Sequence, residues 1–226
     1  MNRADILGET AGLLDGLHLG RPVRVAVDGR TASGKTTMAD ELADLLRELG
    51  RPVIRTSVDG FHRPRAERYA RGRHSAEGYY HDSRDLPAVV TMLLAPLGPG
   101  GDRLYRTASF DLEADRPVEQ APHLADANAI LVVDGTFLQR PELREHWDAT
   151  LFVRTSADVS ERRGVERDTE FLGGEEAARL VYGRRYRPAY DLYERLCEPE
   201  RHADLVVDND ELHHPRLHRR ALGRFP

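Results

Sequence analysis

Five short runs of β-branched and aliphatic residues recur along the chain, at 23–28, 53–58, 129–134, 150–154 and 204–208, and several end in aspartate. Runs of that length and composition predict buried strands. The stretches between them carry a helical period instead. Residues 37–49 put Met38, Leu42, Leu45, Leu46 and Leu49 on one face and then meet Gly50, a helix stop. Ser83 predicts the cap of a helix running to residue 94, and Pro141 suits a first helical position. Residues 157–168 and 175–193 show the same period. Strands alternating with helices predict an α/β fold with a largely parallel sheet.

Two segments break the rhythm. Residues 60–81 are polar, aromatic and rich in Arg, while 97–123 hold Pro99, Pro117 and Pro122 and the run Gly98-Pro99-Gly100-Gly101. They read as substrate-side insertions, about 60–82 and 97–123, on one domain spanning 1–226, because specificity concentrates in loops on a rigid sheet. Ordinary surface connection is the plainer alternative.

Composition narrows the class. The 226 residues are 40% hydrophobic and 31% charged, which excludes a low-complexity chain and allows one mid-sized core. A net charge of −5 argues against general nucleic-acid binding. The longest uncharged apolar-rich stretch, 88–97, is too short to span a bilayer, and the first residues lack a signal-peptide core. Cys197 is the only cysteine, so an intrachain disulfide and a cysteine metal cluster are both excluded. A cytoplasmic protein away from membranes is expected. Of the 33 basic residues, 32 are Arg and one, Lys35, is Lys. The arginines read as surface charge with a few phosphate clamps among them.

The lone lysine sits in Gly29-Arg30-Thr31-Ala32-Ser33-Gly34-Lys35-Thr36, which fits G-x-x-x-x-G-K-[ST] between a predicted strand and a predicted helix. Glycines let backbone N–H groups turn inward as an anion nest, and the helix N-terminus adds partial positive charge. Gly29, Thr31, Ala32, Ser33, Gly34, Lys35, Thr36 and Thr37 are the candidate nucleotide contacts. Lys35 would reach the β- and γ-phosphates, and the Thr36 hydroxyl would join a Mg²⁺ shell. A guanine-reading N-K-x-D motif needs a second Lys, so that class of GTPase is excluded.

Three further features bear on the chemistry. Asp59 ends the second run, so its carboxylate should face the phosphate cleft and suits a base that orients an acceptor hydroxyl; an aspartate capping a turn before Gly60 is the alternative. Asp134 closes Leu131-Val132-Val133-Asp134-Gly135 as a Walker B acid would, in position to support Mg²⁺ beside Thr36. Arg162, Arg163 and Arg167 lie on one predicted helix, with Arg163 and Arg167 four apart on one face. They could neutralise transferring phosphate, or form a solvated face with Glu161 and Glu166.

With these residues in place, the chain from about 23 to 209 resembles the uridine kinase/phosphoribulokinase family of P-loop kinases, close to uridine–cytidine kinases. Asp59-Gly60-Phe61-His62 is similar to that family's Asp-x-Phe-Tyr segment, Tyr80-His81-Asp82 to its aromatic-acidic pair, and Tyr105 falls where a substrate-facing tyrosine is usual. Residues 152–158 with Arg163 and Arg167 resemble its strand-and-lid segment, and 187–190 and 203–207 its closing helix and last strand. Asp134 stands where Glu is usual, His62 where Tyr is commoner, and Asp82-Ser83-Arg84-Asp85 where the family has Asp-His-Pro-Asp.

The resemblance implies a P-loop NTPase three-layer sandwich with a five-stranded parallel sheet and a lid at about 158–185. It implies ATP or GTP as donor, Mg²⁺, and a pyrimidine nucleoside whose 5′-hydroxyl is the acceptor. Asp59, Lys35, Arg163 and Arg167 become the expected catalytic residues. His62, Tyr80, Asp82, Tyr105 and Arg163 become the expected acceptor contacts beside Asp59, and Thr36 and Asp134 the metal ligands. Asp-Gly-Phe is also similar to pantothenate-kinase-like relatives, so a non-nucleoside alcohol or a sugar phosphate stays open. So does a nucleotide-hydrolysing switch without an acceptor. The basic run Arg63, Arg65, Arg68, Arg71, Arg73 and His74 reads as a solvated flap, with an anionic acceptor or nucleic acid as alternatives. His213, His214 and His218 read as an exposed tail. A homo-oligomer is compatible with the sequence.

Overall fold

In a computed structural model that describes residues 2–219, the five predicted runs form strands β1 (Val23–Gly29), β2 (Val53–Ser57), β3 (Ile130–Gly135), β4 (Ala149–Arg154) and β5 (Leu205–Asp208). A sixth strand, β6 (Arg216–Arg219), extends the sheet, whose order is β6-β5-β4-β1-β3-β2. The first five run parallel, and β6 lies antiparallel to β5, pairing Leu217 with Val207. The five parallel strands match the expectation, and β6 adds an antiparallel edge strand; of the supposed tail, His218 lies on β6, while His213 and His214 are exposed ahead of it. A single apolar residue, Leu217, packed against the core is too faint a pattern to flag a strand.

Both faces of the sheet are covered, which suits its unbroken apolar strands. On one face α1 (Arg3–Asp15) and α2 (Lys35–Glu48) bury Leu14, Met38, Leu42 and Leu46 against Val23, Val25, Val27 and Val132. On the other, Ala26, Leu131 and Val133 meet Phe61, Leu93, Leu94, Leu97 and Trp147. Helix α1 escapes the sequence pattern because Gly8 and Gly12 weaken its propensity. It is held by burial of Ile6, Leu7 and Ala11 and by a capping box between Asn2 and Asp5.

Other boundaries shift for local reasons. The helix expected from Ser83 starts at Leu86, capped by the Asp85 carboxylate on the Ala88 N–H, while the Ser83 hydroxyl donates to the Tyr79 carbonyl. In the first insertion a tight turn at Val58–Phe61 leads to a helical turn at Arg65–Arg68 and to α3 (Ala76–Asp82). The second carries two short antiparallel pairs, Leu104–Tyr105 with His123–Leu124 and Phe110–Asp111 with Arg116–Pro117. Among the described residues no helix is long and apolar enough to cross a membrane.

The expected lid segment contains α4 (Ala157–Leu172) and α5 (Glu175–Val181), and a π-helical turn at Tyr182–Tyr186 leads into α6 (Arg187–Cys197). The wide turn precedes Pro188, whose missing N–H cannot close an ordinary helical bond. The Tyr182 ring lies so close to Gly164 of α4 that a Cβ there would fall 2.1 Å from it. Gly164→Ala should therefore cost about 1–3 kcal/mol of stability through overpacking. A lowered urea midpoint checks this, and an unchanged midpoint contradicts it.

Candidate active site

The phosphate loop joins β1 to α2 at the carboxyl ends of the parallel strands. Ala32 and Gly34 adopt positive φ, 62° and 90°, the alternation that turns successive N–H groups toward one point. A Cβ at Gly34 would fall 2.6 Å from Asn209 Nδ2. That amide donates to the Ser33 carbonyl at 2.7 Å, and the Thr155 hydroxyl reaches the same oxygen at 3.3 Å. Arg30 lies 4.2 Å over the Tyr190 ring and pairs with Glu194 at 2.7 Å. The loop is thus fixed from the ends of β4 and β5 and from α6.

Asp28, one residue before the motif, is fully buried. It accepts hydrogen bonds from the Gly29 N–H at 2.8 Å, from Gln139 Nε2 at 3.5 Å and from the Tyr193 hydroxyl. Burial pushes its carboxyl up to about 6 against the pull of those donors. Lys35 donates to the Arg30 carbonyl at 3.2 Å. The Thr36 hydroxyl donates to Asp134 Oδ2 at 2.6 Å, and Arg55 pairs with Asp134 Oδ1 at 2.8 Å. A hydroxyl beside one carboxylate is a hard oxygen set of the kind Mg²⁺ takes. No group of three or more His, Cys, Asp and Glu able to hold a metal occurs among the described residues.

Asp59 sits in the turn after β2, across the cleft. Its Oδ1 pairs with Arg84 Nη2 at 2.6 Å. Desolvation by surrounding protein atoms would raise its carboxyl, but the charges of Arg84 and Lys35 hold it below the ordinary value. His62 Nδ1 donates to the Asp59 carbonyl at 2.7 Å, and burial next to Arg84 lowers its imidazole to about 4. His62 is therefore a neutral neighbour at physiological pH.

A cavity of about 550 Å³ brings together Thr31 of the phosphate loop, Asp59, His62 and Arg167. Tyr79 and Arg84 join them in its wall. Four of the expected acceptor contacts stay out of it, and of the phosphate loop Thr31 alone lines it. Tyr80 is buried in the aromatic cluster with Phe137 and Tyr193, its hydroxyl 3.3 Å from Cys197 Sγ. Asp82 pairs with Arg71 at 2.8 Å. Tyr105 is half-buried in its short strand, its ring 5.8 Å from that of His123. Arg163 donates to the Asn209 and Asp210 carbonyls and ties α4 to the end of β5. Within the basic run Arg68 is buried and lines the cavity with Arg65 and Arg73, while Arg65, Arg71 and Arg73 remain exposed, as a solvated flap would be.

Comparison with known proteins now adds to this geometry. No family model matches the chain. It is 30% identical over 193 residues to uridine-cytidine kinase B of Dictyostelium discoideum, a match covering 84% of this chain and 76% of that protein. The chain belongs to the uridine kinase family. It is similar to the uridine kinase of Lactobacillus johnsonii at 26% identity over 188 residues, covering 83% of this chain and 86% of that one. A solved structure of a possible uridine kinase from Bacillus stearothermophilus superposes with a TM-score of 0.70 at 24% identity, over 90% of this chain and 97% of that one. This uridine kinase-family chain is accordingly a small-molecule kinase with the P-loop kinase fold.

Sequence reading missed Asp28, Asn209 and Arg84. Only Arg84 left a signal, as the arginine breaking the family's Asp-His-Pro-Asp pattern. Asp28 and His62 oppose each other in acid. The raised Asp28 carboxyl contributes stability that is complete below about 3.8 and lost as pH rises through about 6. The lowered His62 imidazole contributes stability present above about 6.5 and lost as pH falls through about 4. Asp28→Asn removes only the first effect. Its unfolding free energy should therefore rise more steeply with pH between about 4 and 6.5 than that of the parent, and parallel urea-denaturation curves across that range would contradict the assignment.

Proposed function

We propose that this kinase transfers the γ-phosphoryl group of ATP to a hydroxyl of a small molecule seated in the cavity beside Asp59. The inward N–H groups of residues 29–36 and Lys35 bind the β- and γ-phosphates. Thr36 and Asp134 hold Mg²⁺, which when bound neutralises charge on the phosphate oxygens. Asp59 orients the acceptor hydroxyl and takes its proton as the new O–P bond forms and the bond between the γ-phosphorus and the β-bridging oxygen breaks. Phosphoryl transfer of this kind develops little charge on the attacking oxygen early on, so a carboxylate held below its ordinary value is adequate as base. Arg84 fixes the carboxylate's direction. Arg167, paired with Asp168 at 2.7 Å on the lid side of the cavity, supplies positive charge toward the transferring group.

The observation that carries this reading is that Asp59 and the phosphate-loop residue Thr31 line one cavity, with Lys35 close enough to help depress the Asp59 carboxyl. A hydrolytic switch has no use for an acceptor cavity beside a base. The names of the relatives favour a pyrimidine nucleoside as acceptor, phosphorylated on its 5′-hydroxyl. Tyr80, Asp82 and Tyr105 add nothing to that choice, since they lie outside the cavity wall. GTP in place of ATP, a cytoplasmic setting and a homo-oligomer are compatible with the same chemistry.

Asp59→Asn should lower kcat by roughly 10²–10⁴-fold while leaving the affinity for a non-hydrolysable ATP analogue within a few-fold of the parent. A coupled ADP-release assay with calorimetric binding of the analogue reads both. Unchanged turnover would remove Asp59 from the base role.

A further inference from the structure

The cavity wall concentrates positive charge. Arg65, Arg68, Arg73, Arg84, Arg167 and Arg185 line it against only two carboxylates, Asp59 and Asp168. Arg84 and Arg167 are paired with those two, and Arg68 with Asp115 at 2.8 Å outside the wall. Among the described residues no carboxylate forms an ion pair with Arg65, Arg73 or Arg185. A wall of this sign raises the local concentration of anions in the cavity.

Arg185 is built into place rather than draped on the surface. It is 8% exposed, and its Nη1 donates to the Arg73 carbonyl at 3.0 Å. Its guanidinium lies 4.9 Å from both the Tyr69 and Tyr79 ring centres. Its Nε is buried with no hydrogen-bond partner, as are Nε of Arg68 and Nε and Nη1 of Arg84. Such donors are normally satisfied in a complete site. The Tyr69 phenol registers the same field, because although burial raises it, Arg185, Arg68 and Arg73 bring it below its ordinary value. These arginines come from the segment after Asp59 and from the π-helical turn. The donor phosphates already have the nest and Lys35.

We propose that the acceptor is itself an anion: a small alcohol bearing a phosphate or carboxylate, whose charged group seats against Arg185, Arg73 and Arg65 while its hydroxyl meets Asp59. This rests on the kinase reading above and replaces a neutral nucleoside with a charged polyol or hydroxy acid. Tyr69 and Tyr79 hold the Arg185 guanidinium in place, so that an anion entering the cavity meets a fixed, planar cation.

The test uses the full chain saturated with Mg²⁺ and a non-hydrolysable ATP analogue, at fixed ionic strength. Calorimetry compares glycerol with glycerol 3-phosphate and glycerate, and ribose with ribose 5-phosphate, with uridine as the neutral nucleoside. At least one anionic member should bind more than ~10-fold tighter than its neutral counterpart. The phosphate and carboxylate arms decide which anion is read. Arg73→Gln, at an exposed side chain, and Arg185→Gln should each weaken that binding about 10-fold, with analogue affinity changed less than about 3-fold. Arg185→Lys, which keeps the charge but not the fork, should lose less and controls for folding. Equal or tighter binding of the neutral members, no binding of any anionic member, or an equal fall in analogue affinity would each overturn the proposal. Separately, ADP release with any of these alcohols, neutral or anionic, reads whether the chain is a kinase at all, so the two failures are distinguishable.

Discussion

One turn of backbone between β1 and α2 must hold several phosphate charges, and the rest of the molecule is arranged to keep that turn in shape. Positive φ at Ala32 and Gly34 is unfavourable for most sequences, and what stabilises it comes from far along the chain. Asn209 grips the Ser33 carbonyl after the fifth strand, Tyr193 donates to Asp28 at the loop's entry, and Tyr190 stacks under Arg30. The last strands and α6 thus do more than complete a sandwich. They hold the nest while Asp59, on the neighbouring β2–β3 side of the sheet, faces the same cleft.

Charge is organised around this nest with unusual reliance on Arg. A single ammonium, Lys35, serves where a slim flexible group must reach between phosphates. Reading the 32 arginines as surface charge proves too simple. Arg24, paired with Asp148 at 2.9 Å, Arg51, bonded to main-chain carbonyls, and Arg140, stacked on Tyr80, are buried and structural. Others line the cavity. Guanidinium suits both uses, because its fixed fork can satisfy several acceptors at once.

The sheet was legible because its strands are apolar on both faces, and the phosphate loop because the chemistry of anion binding fixes residue types at fixed spacing. Thr36 and Asp134 were legible as a pair for the same reason, and the structure sets them 2.6 Å apart. What escaped depends on partners distant in sequence. Helix α1 is held by burial rather than propensity, and the β6 edge strand by pairing with β5. Asn209 looks like any strand-end polar residue until the loop it grips is in view. The acceptor side was least legible, because aromatic and acidic residues at 80–82 can face the cleft or the core depending on the orientation of α3. Here Tyr79 faces the cavity, Tyr80 the core, and Asp82 turns to Arg71.

Phosphoryl transfer to an alcohol held beside Asp59 is the claim on which the account stands. The most direct test is the fate of label from γ-labelled ATP, followed with the full chain and Mg²⁺ across neutral and anionic alcohols. The account predicts that label moves into an organic phosphate ester only when an acceptor alcohol is present, with little inorganic phosphate formed in its absence. Release of label as inorganic phosphate at a rate indifferent to every added alcohol would contradict it.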